Sequence, residues 1–191
     1  LFIGGSFTGT GFQNLATTSS LTAIAPARFG NADAAITGNI NGPVFALAVY
    51  SDPLGGATAG TRGDILFVGG QFTNAGGTAA TNIAAFGIVP SATNGRPAHV
   101  LGWSAVGTGV TGANSSVRAL TVWDAPDINN NTINPTLVIG GLFQVQAANS
   151  ANVQNNIVQW TGTAYNALIA AGNGTNAIVR ALTTVVDAQE P

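Results

Sequence analysis

The chain has 191 residues, enough for one domain with a sizeable hydrophobic core. Only 6% of the residues are charged, 46% are hydrophobic and 26 are glycine. A net charge of −2 leaves too little positive charge to bind a nucleic-acid backbone. The absence of cysteine excludes disulfides and thiolate nucleophiles. No apolar run approaches the ~20 residues of a membrane-spanning helix.

Two short motifs occur three times in the same order, the first of them at intervals of 65 and 71 residues. The first motif is Leu-x-Ile/Val-Gly-Gly, at residues 1–5, 66–70 and 137–141. The second motif is Val-x-Ala-Leu, at residues 44–47, 117–120 and 179–182. Two motifs in a fixed order indicate internal repeats. The sequence therefore predicts three repeats, with approximate bounds 1–65, 66–136 and 137–191.

Each repeat is predicted to form four short β-strands. In the second repeat these strands are residues 66–70, 82–86, 100–106 and 117–124. The runs are rich in Val, Ile, Thr and aromatic residues, and Gly, Asn and Pro bound them. The Val-x-Ala-Leu strand is almost continuously apolar, so we expect it to be covered on both faces.

Four-stranded repeats whose strands are covered on both faces are typical of β-propeller blades. The sequence thus predicts an all-β fold, a β-propeller segment of about three four-stranded antiparallel blades. A β-solenoid is the alternative, although its coils are usually much shorter. Closed propellers have 4–8 blades. Since the chain also lacks an initiator Met, we expect a segment of a longer propeller or, as the second choice, a chain that associates with its own copies.

The repeats resemble a known family. The residues that carry the resemblance are 66–77 (Leu-Phe-Val-Gly-Gly-Gln-Phe-Thr-Asn-Ala-Gly-Gly), Asn-Ile-Ala at 82–84 and Val-Arg-Ala-Leu at 117–120. They are similar to the extracellular Kelch-like propeller repeats of large secreted bacterial proteins and fungal cortical cell-polarity markers. The resemblance implies a secreted or surface-displayed propeller without enzymatic chemistry, and it assigns no catalytic residue. The repeats are longer than the ~50 residues of a standard Kelch blade, and Tyr165 replaces the usual tryptophan.

A literal G-x-G-x-x-G pattern lies at residues 107–112. A dinucleotide site requires a helix after this pattern and an acidic residue about 20 positions later. Here the predicted strand 117–124 follows, which favours a turn. The Gly-Gly pairs are likewise interpreted as places where strand ends bend and where neighbouring backbone or aromatic rings approach closely. No cofactor is predicted.

Residues 124–132 form the one oxygen-rich segment. Asp124, Asp127 and Asn129 are weak candidate calcium ligands, because Ca²⁺ prefers carboxylate and amide oxygens. The segment lacks the central glycine and final glutamate of an EF-hand loop, so an ordinary polar turn is the favoured interpretation.

Three asparagines begin N-glycosylation sequons, Asn114, Asn130 and Asn173. Three sequons are also what the Asn, Ser and Thr content alone would produce. These residues are therefore possible acceptors and not evidence that the chain is glycosylated.

The long segments 87–98 and 125–136 are expected to leave one end of the blades, where binding loops usually lie. Arg96, His99, Asp124 and Asp127 in or near them are the predicted contact residues. With one histidine and no lysine, we expect a non-enzymatic extracellular or cell-surface propeller that acts as a structural or binding module. Its expected partners are further blades, copies of itself, glycans or other surface proteins. The alternative is a fragment of a secreted carbohydrate-active or oxidoreductase propeller enzyme.

Overall fold

The computed structural model describes residues 2–4, 21–23, 40–50, 65–93, 96–125, 134–169 and 172–184. Its regular elements in these ranges are all β-strands, so no membrane-spanning helix is found there. The strands are β1 (Phe2–Gly4), β2 (Leu21–Ala23), β3 (Val44–Tyr50), β4 (Ile65–Gly70), β5 (Asn74–Ala75), β6 (Thr78–Ala79), β7 (Ile83–Thr93), β8 (Arg96–Ala105), β9 (Thr111–Ala125), β10 (Asn134–Gln146), β11 (Val153–Trp160) and β12 (Tyr165–Asn166).

Two four-stranded antiparallel sheets contain most of these strands. Sheet I has the order β3-β4-β7-β8, and sheet II has the order β9-β10-β11-β12. The pairs β1–β2 and β5–β6 form two further antiparallel sheets. The predicted all-β, antiparallel, four-stranded character is therefore confirmed. The described sheets are not closed into a ring.

Each four-stranded sheet combines strands from two sequence repeats. The Val-x-Ala-Leu strand of one repeat pairs with the Leu-x-Ile/Val-Gly-Gly strand of the next. Leu47 lies opposite Val68 in sheet I, and Leu120 lies opposite Ile139 in sheet II. The hydrogen-bonded unit is thus displaced by one strand from the sequence repeat. Main-chain hydrogen bonds consequently join each repeat to its neighbour.

The period-two alternation of strand side chains places successive residues of a strand on opposite faces of its sheet. Leu66 and Val68 of β4 are fully buried in one core, and the intervening Phe67 points toward sheet II. A second core lies between the two sheets. Its fully buried members include Ile83, Val106, Val110, Val117, Ile139 and Val158.

Four segments differ from the predicted strands. Residues 87–98 were expected to form a long loop, but β7 continues through Thr93 and pairs with β8 from Arg96 onward. The predicted third strand of the last repeat is reduced to Tyr165–Asn166. Residues 179–182 lie beside sheet II without strand pairing among the described residues. Residues 72–82 hold an additional hairpin, β5–β6.

Strand directions bring several connections to one end of the two sheets. Because β3 and β7 both run antiparallel to β4, Tyr50 and Thr93 lie at the same end of sheet I. Thr136 and Trp160 mark the corresponding end of sheet II, and both line one groove with Tyr50. We call this the connection end. The β7–β8 pair Thr93–Arg96 and the β9–β10 pair Ala125–Asn134 both lie toward this end. The opposite end, where residues 106–110 lie, is the turn end.

Candidate functional site

The first glycine of two Gly-Gly pairs touches the following Val-x-Ala-Leu segment. A Cβ at Gly69 would lie 2.3 Å from Cγ1 of Val117 and 3.3 Å from Cδ1 of Leu120. A Cβ at Gly140 would lie 2.6 Å from Cγ1 of Val179. These glycines allow one sheet to approach the next segment closely. The same contact occurs at the same repeat positions twice.

Two buried asparagines at equivalent repeat positions adopt left-handed backbone geometry. Asn82 and Asn156 both have φ of 65°. The Nδ2 of Asn82 donates to the carbonyl of Val110 at 2.8 Å and to Oγ of Ser115 at 2.7 Å. The Nδ2 of Asn156 donates to the carbonyl of Thr175 at 3.0 Å. Asparagine tolerates this backbone region better than most residues. Each side chain links a sheet to the turn that follows it.

The Gly-x-Gly turns complete the turn end. Gly109 has φ of 75°, and a Cβ there would lie 2.6 Å from the carbonyl oxygen of Thr81. Gly174 has φ of 83°, and a Cβ there would lie 2.1 Å from the carbonyl oxygen of Asn155. Strand β9 begins at Thr111, so no helix follows the G-x-G-x-x-G pattern. The pattern is a structural turn between the sheets.

Tyr165 joins sheet II to the end of sheet I. Its hydroxyl donates to the carbonyl of Val106, and its ring centroid lies 4.9 Å from that of Trp160. Burial disfavours the phenolate, so it raises the pKa of Tyr165 well above its usual value. The phenol therefore remains a hydrogen-bond donor in neutral and mildly alkaline solution.

Arg118 packs over an aromatic ring of the neighbouring sheet. Its guanidinium carbon lies 4.5 Å from the ring centroid of Phe45, and its Nε donates to Oγ of Ser116 at 3.2 Å. Phe45, Arg118 and Arg180 occupy the same position in successive Val-x-Ala-Leu motifs. Side-by-side strands thus form a cation–π contact between sheets.

A groove between the sheets opens at the connection end, and we call it the connection groove. It encloses a cavity of about 520 Å³. Three aromatic residues and three threonines line it, Tyr50, Phe67, Trp160, Thr136, Thr161 and Thr163. A second cavity of about 210 Å³ continues past Phe67 and Trp160 toward Ser104. No described residue that lines either cavity carries a charge.

The predicted calcium ligands fall largely outside the described part of the chain. The backbone of Asp124 pairs with Pro135, while its side chain and residues Asp127 and Asn129 lie outside the described structure. Arg96 and His99 belong to β8, where only the backbone is described. Within the described ranges, no three His, Asp or Glu side chains come together as metal ligands.

Two of the three sequon asparagines are exposed at the turn end. Asn114 lies in β9 with φ of 55°. Asn173 precedes the Gly174 turn, and its carbonyl accepts the N–H of Asn155 at 2.8 Å. Asn130 lies outside the described residues. The two described acceptors are therefore far along the strands from the connection groove.

No protein-family model, curated protein or solved structure matches the chain. The arguments about its function consequently depend on its own residues. Sequence reasoning missed the connection groove, because Tyr50, Phe67 and Trp160 belong to three strands in two sheets. It also missed the buried asparagines, although an Asn before the second strand recurs at 82 and 156.

Proposed function

We propose that this chain is a segment of a non-enzymatic, extracellular or cell-surface β-propeller of the Kelch-like type that serves as a structural and binding module. In this proposal, sheets I and II are neighbouring blades. The observation that supports it is the recurring contact of Gly69 with Val117 and of Gly140 with Val179. A stack of equivalent blades repeats the same contact at each joint.

We assign the binding role to the connection groove and its ligand class to neutral glycans. The flat rings of Tyr50, Phe67 and Trp160 offer apolar surfaces that can cover the C–H faces of a sugar ring. Threonine hydroxyls beside them supply donors and acceptors for sugar hydroxyls. The uncharged lining favours a neutral ligand, since a charged one would lose hydration without gaining a partner.

Tryptophan fluorescence provides the test, because Trp160 lines the connection groove. In a Trp123→Phe background, which removes an exposed tryptophan outside the groove, we expect a saturable change in emission with some neutral oligosaccharides of a broad panel. Thr163→Val should raise the Kd by about 3- to 10-fold, the effect of one lost hydrogen bond.

Thr108→Val is the matched control, since Thr108 is exposed at the turn end and outside the groove. It should bind like the parent. The absence of saturable binding to every neutral oligosaccharide, or an equal loss of affinity in both threonine variants, would contradict the proposal.

A further inference from the structure

The dipeptide Asn-Gly occurs three times in the chain, at residues 41–42, 94–95 and 173–174. In this dipeptide the backbone nitrogen of the glycine can attack the side-chain amide of the asparagine, because glycine has no side chain to block the approach. The attack requires an asparagine side chain that is free to rotate toward that nitrogen. Residues 94–95 lie outside the described part of the chain. Asn41 and Asn173 differ in how far the fold permits this rotation.

Three hydrogen bonds hold the side chain of Asn41. Its Oδ1 accepts the N–H groups of Thr73 and Asn74, each at 2.9 Å, and its Nδ2 donates to Oγ1 of Thr73 at 2.8 Å. Gly42 is also confined, since a Cβ there would lie 2.1 Å from the carbonyl oxygen of Gln71. Rotation of the Asn41 side chain toward the Gly42 nitrogen breaks these bonds, so we expect the attack to be slow at this position.

The side chain of Asn173 has no comparable restraint. It is exposed, and it makes no hydrogen bond with the residues that the structure describes. The main-chain carbonyl of Asn173 accepts the N–H and the Nδ2 of Asn155, at 2.8 Å and 3.1 Å. The N–H of Gly174 donates to no acceptor in the described ranges. Both reacting groups, the side-chain amide and the glycine nitrogen, are therefore accessible to each other.

The exposure of Asn173 agrees with its place in the repeat. Asn173 is the middle residue of the Gly-x-Gly turn 172–174, as Thr108 is the middle residue of the turn 107–109. Thr108 is exposed although sheet II follows its turn and packs against sheet I. Structure that follows such a turn thus leaves its middle residue in contact with water.

We propose that Asn173 is a site of spontaneous deamidation, with water as the co-reactant. The nitrogen of Gly174 bonds to Cγ of Asn173, the Cγ–Nδ2 bond breaks, and the proton of the glycine nitrogen leaves with the amide nitrogen as ammonia. Water then opens the cyclic imide at one of its two carbonyls. Opening at the side-chain carbonyl gives aspartate. Opening at the main-chain carbonyl gives isoaspartate, whose main chain runs through Cγ.

Isoaspartate at this position disturbs the attachment of the turn to β11. The main-chain carbonyl of Asn173, which accepts both bonds from Asn155, becomes a carboxylate outside the main chain. The main chain itself gains a methylene group directly before Thr175, whose N–H donates to the carbonyl of Asn155 at 2.9 Å. We therefore expect the modification to weaken both main-chain hydrogen bonds that hold residues 173–175 to Asn155.

Peptide mass mapping of the full chain, produced in a host that does not glycosylate it, tests the proposal. Deamidation raises the mass by one unit, and cleavage after Arg62 and Arg118 separates Asn41 from Asn173. In the folded chain, Asn173 should convert about 10- to 100-fold faster than Asn41, because only Asn41 must first break side-chain hydrogen bonds. In the urea-unfolded chain, where the fold restrains neither residue, the two rates should become similar.

Thr73→Val is the matched variant, because it removes the hydrogen bond to Nδ2 of Asn41 and no hydrogen bond of Asn173. It should accelerate conversion at Asn41 by about 3- to 10-fold and leave the rate at Asn173 unchanged. The isoaspartate form, separated by chromatography, should show faster amide exchange at Asn155 and Thr175. Equal rates at Asn41 and Asn173 in the folded chain, an unchanged rate at Asn41 in Thr73→Val, or unchanged exchange in the isoaspartate form would overturn the proposal.

Discussion

The buried Asn82 at the turn end contributes to stability in two ways. Its backbone tolerates a positive φ, and its side chain donates hydrogen bonds. Asn82→Ala removes the donor to the buried carbonyl of Val110 and places alanine at φ of 65°. We expect the unfolding free energy to fall by about 2–4 kcal/mol, the combined effect of an unsatisfied carbonyl and a strained backbone. Urea-induced unfolding measures this loss.

Asn114→Ala is the control, because Asn114 is also left-handed but exposed. Only the backbone strain applies there, so we expect a loss of about 1–2 kcal/mol. Equal losses in the two variants would show that the hydrogen bonds of Asn82 contribute nothing to stability.

The raised pKa of Tyr165 predicts that the free energy of unfolding falls at alkaline pH. Its pKa is raised by burial, whereas an unfolded tyrosine titrates near pH 10. The contribution of the neutral phenol is therefore fully present below about pH 10 and is lost as the pH rises further, by up to about 1.4 kcal/mol per unit. The chain has no lysine or cysteine and only one other tyrosine, Tyr50, so few groups interfere.

Urea midpoints between neutral and strongly alkaline pH measure this effect. The Tyr165→Phe variant should be less stable at neutral pH, because it removes one of the two donors to the Val106 carbonyl and leaves only the N–H of Gly109. Its stability should also decline less steeply above about pH 10. Parallel declines in the parent and the variant would mean that Tyr165 ionises equally easily in the folded and unfolded states.

At the scale of the element, the contact between Gly69 and Val117 joins the two sheets. Gly69→Ala introduces a methyl group 2.3 Å from Cγ1 of Val117, and we expect it to destabilise the fold by about 1–3 kcal/mol. Adding Val117→Ala removes the nearest obstructing atom, Cγ1, while the Cβ of residue 117 remains 2.9 Å away. The double variant should therefore lose less stability than the two single losses predict, with a coupling of about 1 kcal/mol or more. Additive losses would contradict a direct contact.

Strand positions were largely predictable from sequence, while strand pairing was not. Runs such as Leu66–Gly70 and Asn82–Phe86 have the composition and spacing of strands, and β4 and β7 include them. Residues 117–120 precede the third motif in sequence, and their pairing with 137–141 depends on which backbones meet in space. Propensity within a strand carries no information about that choice. The extension of β7 through Pro90 to Thr93 was missed for the same reason, because it depends on pairing with β8.

The candidate site also combines features that the sequence predicts with features that depend on how the sheets stack. The structural roles of the Gly-Gly pairs and Gly-x-Gly turns follow from glycine chemistry and were predicted. The connection groove arises only when Tyr50 of sheet I faces Trp160 of sheet II. Its position therefore depends on sheet stacking, which repeat spacing suggests but does not determine.

At the scale of the whole molecule, the described chain is a series of sheets joined by similar contacts. The joint between sheets I and II encloses the core around Val117 and Ile139. The joint between sheet II and residues 177–184 repeats the glycine contact but adds only one unpaired segment among the described residues. In such a series, a substitution at the contact between two neighbouring units lowers the unfolding free energy by an amount that depends on how much structure lies beyond that contact.

Gly69→Ala and Gly140→Ala place the same methyl group at these two joints. We expect Gly69→Ala to lower the global unfolding free energy by about 1–3 kcal/mol. Gly140→Ala should lower the global unfolding free energy by less than about 0.5 kcal/mol. Residues 177–184, which include Val179, can move away from residue 140 without exposing the core between the sheets. The effect of Gly140→Ala should appear instead as faster amide exchange confined to residues 177–184. Equal global losses would show that residues 177–184 unfold together with both sheets, and that the joints are not independent.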